Sequence, residues 1–186
     1  MPNVLVTAPT AAAISTTDAK LFLRVDADTE DDMIDSFVSA ATEYGQRYLD
    51  RQFITATRRE EMDNFPSGDV IALPYGPLAT VTHVKYYNTS NVLTTLAAAS
   101  YVLDTSRLPG RIVLAEGYSW PWTYDRPNAV QITYTCGYGD ADDVPANIIV
   151  GLKQLVHAYY TDRSASGTGT PSADALLGLS TDGRMT

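Results

Sequence analysis

Four acidic residues, Asp26, Asp28, Glu30 and Asp32, alternate in the manner of a calcium loop, where oxygen ligands recur at every second position. The rest of such a loop does not follow. Position six, where the sharp turn requires glycine, is Asp31, and position twelve, where a bidentate glutamate belongs, is Phe37. Carboxylates at the positive end of a helix dipole explain the same acids without a metal. Asp140, Asp142 and Asp143 stand at a glycine corner and invite the same two readings, and capping of a following helix accounts for them. His83 and His157 are the only histidines, and neither has a cysteine or second histidine at metal-ligand spacing. No nucleophile elbow surrounds any serine, and GTGTPS lacks the Gly-Lys-Ser/Thr ending of a phosphate loop. No catalytic residue, metal or cofactor is therefore assigned, and the expectation is a protein that is not an enzyme.

The remaining recognition chemistry is aromatic. GYSWPWTYDRPN, residues 117–128, sets Tyr118, Trp120, Trp122 and Tyr124 in a proline-bearing loop. That composition suits a hydrophobic lid over a β core, an anchor at a subunit or partner interface through Trp120 and Trp122, or stacking on a sugar or base. All three uses remain open at this point, and the last defines an alternative function: a carbohydrate- or ligand-binding β module. Arg126 is expected to tether the loop to a carboxylate.

The elements that must position these residues follow from periodicity. Ser15, with Asp18 three residues on, opens a short helix through Ala19, Leu21, Phe22 and Leu23. A second helix starts near Asp28, which is expected to cap it, and Ile34, Phe37, Val38, Ala41, Tyr44 and Tyr48 recur at three and four to give one apolar stripe. From 53 to 136 short β-type runs alternate with Gly, Pro, Asn and Asp: 55–62, 70–73, 80–87, 101–103, 111–114 and 129–136. In the last of these Val130, Ile132, Tyr134 and Cys136 alternate with Gln131, Thr133 and Thr135, as in a half-buried strand. Gly137 and Gly139 then turn the chain, and Pro145 suits the first position of a third helix. That helix is apolar nearly all round, with only Lys153, Gln154 and His157 as polar interruptions, so cover on several sides is expected. The predicted fold class is α+β. A small helical bundle (15–52 and 144–163) carries an inserted antiparallel β subdomain (53–136), all within one domain of 186 residues.

After the third helix, SASGTGTPS has the composition of a flexible linker, and Leu176, Leu177 and Leu179 are the strong apolar anchors of the tail at 164–186. Thirteen basic against twenty-two acidic residues give a net charge of −9, which opposes a main task of gripping phosphates. Cys136 is the only cysteine, which removes an intrachain disulfide and fits a reducing compartment. The N-terminal MPNVLVTAPTAAAIS has neither the basic start nor the sustained apolar core of a signal peptide, and no apolar run reaches membrane-spanning length.

Four blocks carry a resemblance that spans nearly the whole chain: ISTTDAKLFLRVDADTEDDMIDSFVSAATEYGQRYLDRQFIT, IALPYGPLATVTHVKYY, YVLDTSRLPGRIVLAEGYSWPWTYDRPNAVQITYTCGYGD and VPANIIVGLKQLVHAYYTDR. In order and spacing they resemble the phage head-tail connector (adaptor) proteins, gp6-like type, of the phiE125 gp8 branch. The resemblance implies a structural protein made in the host bacterial cytoplasm and located at the virion neck. There its copies form a ring, twelve-fold to match the portal, between the portal protein and a stopper or tail-completion protein. DNA passes through the channel without specific binding, and no membrane is involved. It further implies contacts from Leu176, Leu177 and Leu179 to the portal and from Tyr159 and Tyr160 to neighbouring copies.

Overall fold

The structure, a computed structural model, describes residues 2–162. Among the described residues, three α-helices and two antiparallel sheets give the predicted α+β class. The chain divides into two compact units: Met1–Pro9 with Thr55–Gly137, and Thr10–Ile54 with Tyr138–Thr186.

The second of these is helical. Helix α1 (Thr16–Leu23) begins as predicted, with the Ser15 Oγ accepting from the Asp18 amide at 3.0 Å and ordering the first turn. Its Lys20 reaches Asp28 at 2.6 Å and Asp31 at 2.7 Å. That contact corrects the expected role of Asp28, whose carboxylate is drawn to the ammonium and held below its usual pKa by it, rather than capping a helix. Residues Asp28–Glu30 form a 3-10 turn, and α2 runs Asp31–Leu49. Helix α3 spans Ala146–Thr161 with Pro145 one residue before it, not inside its first turn. The acids ahead of α3 also differ from expectation. Asp140 and Asp143 cap each other reciprocally around a separate 3-10 turn, Ala141–Asp143, which absorbs their hydrogen-bonding capacity before α3 starts.

Ile34, Val38 and Ala41 of α2 meet Ile148, Leu152, Leu155, Val156 and Tyr159 of α3 in one core with Ala19 and Phe53. Gly45 is required by that approach: a Cβ there would lie 3.0 Å from a Leu152 methyl and 3.2 Å from the Phe53 ring. Cover around α3 is less complete than its composition implies, because Val150 is 43% exposed and His157 points outward, with the Phe22 ring edge-on at 6.3 Å.

The other unit contains a five-stranded sheet in the order β1-β2-β8-β4-β5 and a three-stranded sheet in the order β3-β7-β6. The strands are β1 (Asn3–Thr7), β2 (Ala56–Met62), β3 (Val70–Leu73), β4 (Leu78–Tyr87), β5 (Leu93–Thr95), β6 (Tyr101–Asp104), β7 (Gly110–Leu114) and β8 (Val130–Cys136). Six match the predicted runs within two residues. Strands β1 and β5 carry no such prediction: β5 is only three residues long, and β1 is exposed at four of its five positions, so neither shows a buried face in its pattern. The shared core takes Met62 from β2, Ile71 and Leu73 from β3, Leu78 and Val84 from β4, Ile112 from β7, and Val130, Ile132, Tyr134 and Cys136 from β8.

Strand β1 pairs antiparallel with β2, and one polar side chain ties it further to the sheet. Asn3 Nδ2 donates to the Glu60 carboxylate at 2.8 Å and to the Tyr134 hydroxyl at 2.9 Å, while its Oδ1 accepts from Arg58 at 2.9 Å. The Tyr134 hydroxyl donates in turn to the Pro74 carbonyl at 2.7 Å, and the Arg58 guanidinium lies 3.6 Å from the centre of the Tyr75 ring. Burial of charged groups is tolerated where such partners exist; here Arg58, Glu60 and Tyr134 are all buried.

Two outcomes follow from the packing. Leu152→Ala should destabilise the chain by about 2–5 kcal/mol, measured as a loss in urea unfolding. Burial raises the Cys136 thiol from an ordinary value near 9.0 to about 12. The unfolded chain therefore loses this proton first, so the stabilisation is complete below pH 9 and is lost as pH rises toward 12. The fall in stability across that window should be shallower in Cys136→Ala than in the unaltered chain.

Candidate functional site

The aromatic loop separates two tryptophans that stand two residues apart. Trp120 stacks on Phe65 with ring centres 4.9 Å apart and planes 3° from parallel, and its indole N–H donates to the Gly68 carbonyl at 2.8 Å. Phe65 meets Tyr86 edge-on at 5.7 Å. Trp120 is thus part of a lid on the β core. Trp122 is 86% exposed, and Tyr118 and Tyr124 are exposed beside it. The loop's backbone is nevertheless fixed: Thr123 donates to Asn64 at 2.7 Å and the Tyr124 amide to the Tyr87 carbonyl at 2.9 Å. Arg126 does not reach a carboxylate as expected. Its guanidinium lies 3.9 Å from the centre of the Tyr87 ring, where the negative π face attracts the cation. An open cleft of about 420 Å³ runs between Phe65, Pro66, Asp69, Tyr118, Trp120 and Trp122. One face of the Trp120 ring is already taken by Phe65, so the free aromatic surface belongs mainly to Trp122 and Tyr118.

On the helical unit, Tyr159 is buried beside Phe37, with ring centres 6.4 Å apart, and Tyr160 donates to the Glu30 carboxylate at 2.7 Å. Both tyrosines serve their own bundle in this structure. Leu176, Leu177 and Leu179 lie outside the described residues. What sequence reasoning did not single out is a groove of about 520 Å³ lined by Ala40, Glu43, Tyr44, Arg47, Tyr48 and Tyr159. Tyr44 and Tyr48 stack at 6.0 Å along it, and Tyr48 is half exposed. The signal was present in the apolar stripe of α2, which continues to Tyr48 past the point where the bundle covers it.

A third apolar surface is the outer edge of the five-stranded sheet, where Val4, Leu5 and Val6 of β1 are exposed with no charged residue among them. Such an edge is a template for pairing with another chain. Reactive side chains are scarce in comparison. Among the described residues, no group of three or more His, Cys, Asp or Glu side chains is placed to hold a metal. His83 lies on β4, where partial burial, and then the charge of Lys85, lowers its pKa. Cys136 is fully buried. Among the described residues no helix is long and apolar enough to cross a membrane.

Residues 12–171 match the family of head completion proteins, a span that takes in segments of both units. The chain belongs to that family. Among curated proteins there is no match. Among solved structures, the head completion chain is similar to a chain in the virion of a native gene transfer agent particle, with 24% identity and a TM-score of 0.81. It is similar also to a chain in the neck of an empty gene transfer agent particle computed with C6 symmetry, at 24% and 0.80, and to one in the neck of a native particle computed with C12 symmetry, at 23% and 0.77. Each likeness covers 96% of this chain and 94% of the other, so the two-unit fold is shared almost end to end.

The different surroundings of the two tryptophans have a measurable result. Trp120→Ala should cost about 2–4 kcal/mol through the lost stack and lid, whereas Trp122→Ala should stay within about 0.5 kcal/mol of the unaltered protein. Urea unfolding of both variants checks this.

Proposed function

We propose that this head completion protein is a structural connector at the head-tail junction of a tailed phage or phage-like particle, where its copies form a ring docked on the portal. The observation that carries the reading is the family match over residues 12–171. The fold shared with the two neck chains is consistent with it. One of those necks was computed with twelve-fold symmetry, and a twelve-fold ring is the stoichiometry inferred for this chain.

The mechanism is geometric. Copies related by rotation present two different surfaces to each other, and such head-to-tail contacts close when the rotation completes a circle. Exposed apolar surface away from the two cores supplies candidates for those contacts: Trp122 and Tyr118 on the aromatic loop, Val4, Leu5 and Val6 on the sheet edge, and Val150 on α3. Interfaces draw much of their energy from a few aromatic anchors, which favours Trp122 over its neighbours. Trp120, stacked on Phe65, acts by fixing the loop to the β core. On the portal side the reading assigns Leu176, Leu177 and Leu179, and on the tail side a stopper or tail-completion protein. A net charge of −9 suits a passage through which DNA slides without being gripped. No step of this role requires bond-making, and the protein is read as a non-enzyme.

Sedimentation velocity of the chain alone and mixed with the portal protein of the same genome tests the reading. Co-sedimentation with the portal is expected, whether the free chain is a monomer or already a ring. Trp122→Ala is expected to weaken ring formation about tenfold or more without loss of folding. A chain that stays monomeric and ignores the portal would overturn the connector role, and a saturable change in tryptophan fluorescence with glycans would then favour a ligand-binding β module.

A further inference from the structure

We propose that neighbouring copies pair through the two open edges of the five-stranded sheet, with β5 of one copy lying parallel to β1 of the next. The inference rests on the ring reading above and names the contact that joins the ring.

Backbone direction fixes what each edge offers. In an antiparallel ladder, residues turn their N–H and C=O toward the partner strand at every second position and away from it at the positions between. The Glu61 amide donates to the Pro2 carbonyl at 3.1 Å, and the register continues through Asn3↔Glu60, Val4↔Arg59 and Leu5↔Arg58. The backbone of Val4 therefore faces β2, and Asn3 and Leu5 turn theirs outward, up to the bulge between Leu5 and Thr7. At the opposite edge the Leu96 amide donates to the Val84 carbonyl at 2.8 Å and the Asn88 amide to the Val92 carbonyl at 3.0 Å. Thr94, opposite Tyr86, keeps the same phase, so Leu93 and Thr95 turn outward. No hydrogen bond to the outward backbone groups of Asn3, Leu5, Leu93 or Thr95 is present among the described residues. Each edge is a short row of open donors and acceptors that another strand matches.

Charge identifies the occupant as a second copy. Proteins commonly blunt sheet edges with charged side chains. Residues 1–17 and 86–103, which contain β1 and β5, hold no Asp, Glu, Lys or Arg, and they are the two longest such runs in the chain. Copies that each carry a net charge of −9 repel, and the repulsion is least where neither surface brings a charge of its own. Val4, Leu5 and Val6 on one edge and Val92 and Leu93 on the other are exposed, so pairing also removes apolar area from water. A copy that pairs its β5 with a neighbour's β1 leaves its own β1 for the next, and a closed ring satisfies every edge.

The direction of pairing follows from the strand count. Every adjacent pair in β1-β2-β8-β4-β5 is antiparallel, so the first and last of the five strands point the same way. One-twelfth of a turn is too small to reverse a strand, so the joined strands are parallel. With Leu93 opposite Val4, the Leu93 amide donates to the Asn3 carbonyl, the Leu5 amide to the Leu93 carbonyl and the Thr95 amide to the Leu5 carbonyl.

Oxidative cross-linking of the full-length chain, free and mixed with the portal protein of the same genome, tests this, with Cys136 left in place because it is buried. Val4→Cys combined with Leu93→Cys should give a ladder of disulfide-linked copies, and neither single variant should. Adding Leu5→Ala, which keeps the backbone N–H, should leave the ladder in place. Adding Leu5→Pro should reduce it about tenfold or more, because proline removes an outward N–H that the copy's own sheet does not use. Thr95→Pro should act in the same way from the other edge. Co-sedimentation with the portal without a ladder would overturn edge pairing and leave the connector role standing. A ladder from a chain that ignores the portal would uphold edge pairing and overturn the connector role. Absence of a ladder from both samples, or a ladder that survives both proline changes, would overturn the proposal. Linked dimers from Val4→Cys alone would assign β1 to a two-fold contact and overturn head-to-tail pairing.

Discussion

Register is the constraint on which each unit depends, and each fixes it with its own contacts: in the helical unit the Arg51–Ile54 segment is bonded to the Tyr138–Gly139 corner. The Tyr138 amide donates to the Phe53 carbonyl at 2.9 Å, Ile54 bridges Gly139 in parallel, and Arg51 donates to the Tyr138 hydroxyl at 2.7 Å. Gln46 accepts from the Phe53 amide and Gln52 donates to the Ile54 carbonyl, so this short segment is bonded at almost every residue. Phe53, fully buried against the Gly45 face of α2, anchors it. Beyond it the antiparallel ladder begins at Ala56 and Cys136 and runs unbroken to Met62 and Val130. A one-residue slip would turn the inward side chains of β8 to the other face, so burial of that face specifies the register.

Much of this was legible in the sequence because burial leaves a periodic trace. The three-and-four spacing of Ile34, Val38 and Ala41, the alternation of Val130, Ile132 and Tyr134, and the Ser15 cap each encode a local preference that the fold retains. The failures have a common physical origin in partner choice. Asp28 had the residue type of a cap, but Lys20, eight residues earlier, competes for its carboxylate. Asp140 and Asp143 satisfy each other before the helix begins. Arg126 settles on an aromatic face where a carboxylate was expected. In each case the residue's capacity was read correctly and its partner was set by a contact that spacing does not encode.

The candidate surfaces divide in the same way. Trp120 and Trp122 look equivalent in sequence, and only the Phe65 stack distinguishes a lid residue from an exposed anchor. Tyr159 and Tyr160 were legible as apolar helix positions, yet nothing in their spacing says that one closes the bundle's core and the other reaches Glu30. The family, in contrast, was legible from the order of four blocks, which takes in segments of both units as they alternate along a chain of 186 residues.

The strand order carries a kinetic consequence. β8 lies between β2 and β4, but it is the last strand of the sheet in the chain. Until residue 136 has left the ribosome, β2 and β4 each have an open inner edge, while α1 and α2 are already complete in sequence. The sheet therefore closes by a late, non-local insertion, the kind of step that loop-closure entropy makes slow. For a protein that leaves an uncharged Val-Leu-Val edge on β1, the interval before β8 arrives is when a nascent chain is most exposed to pairing with the wrong strand.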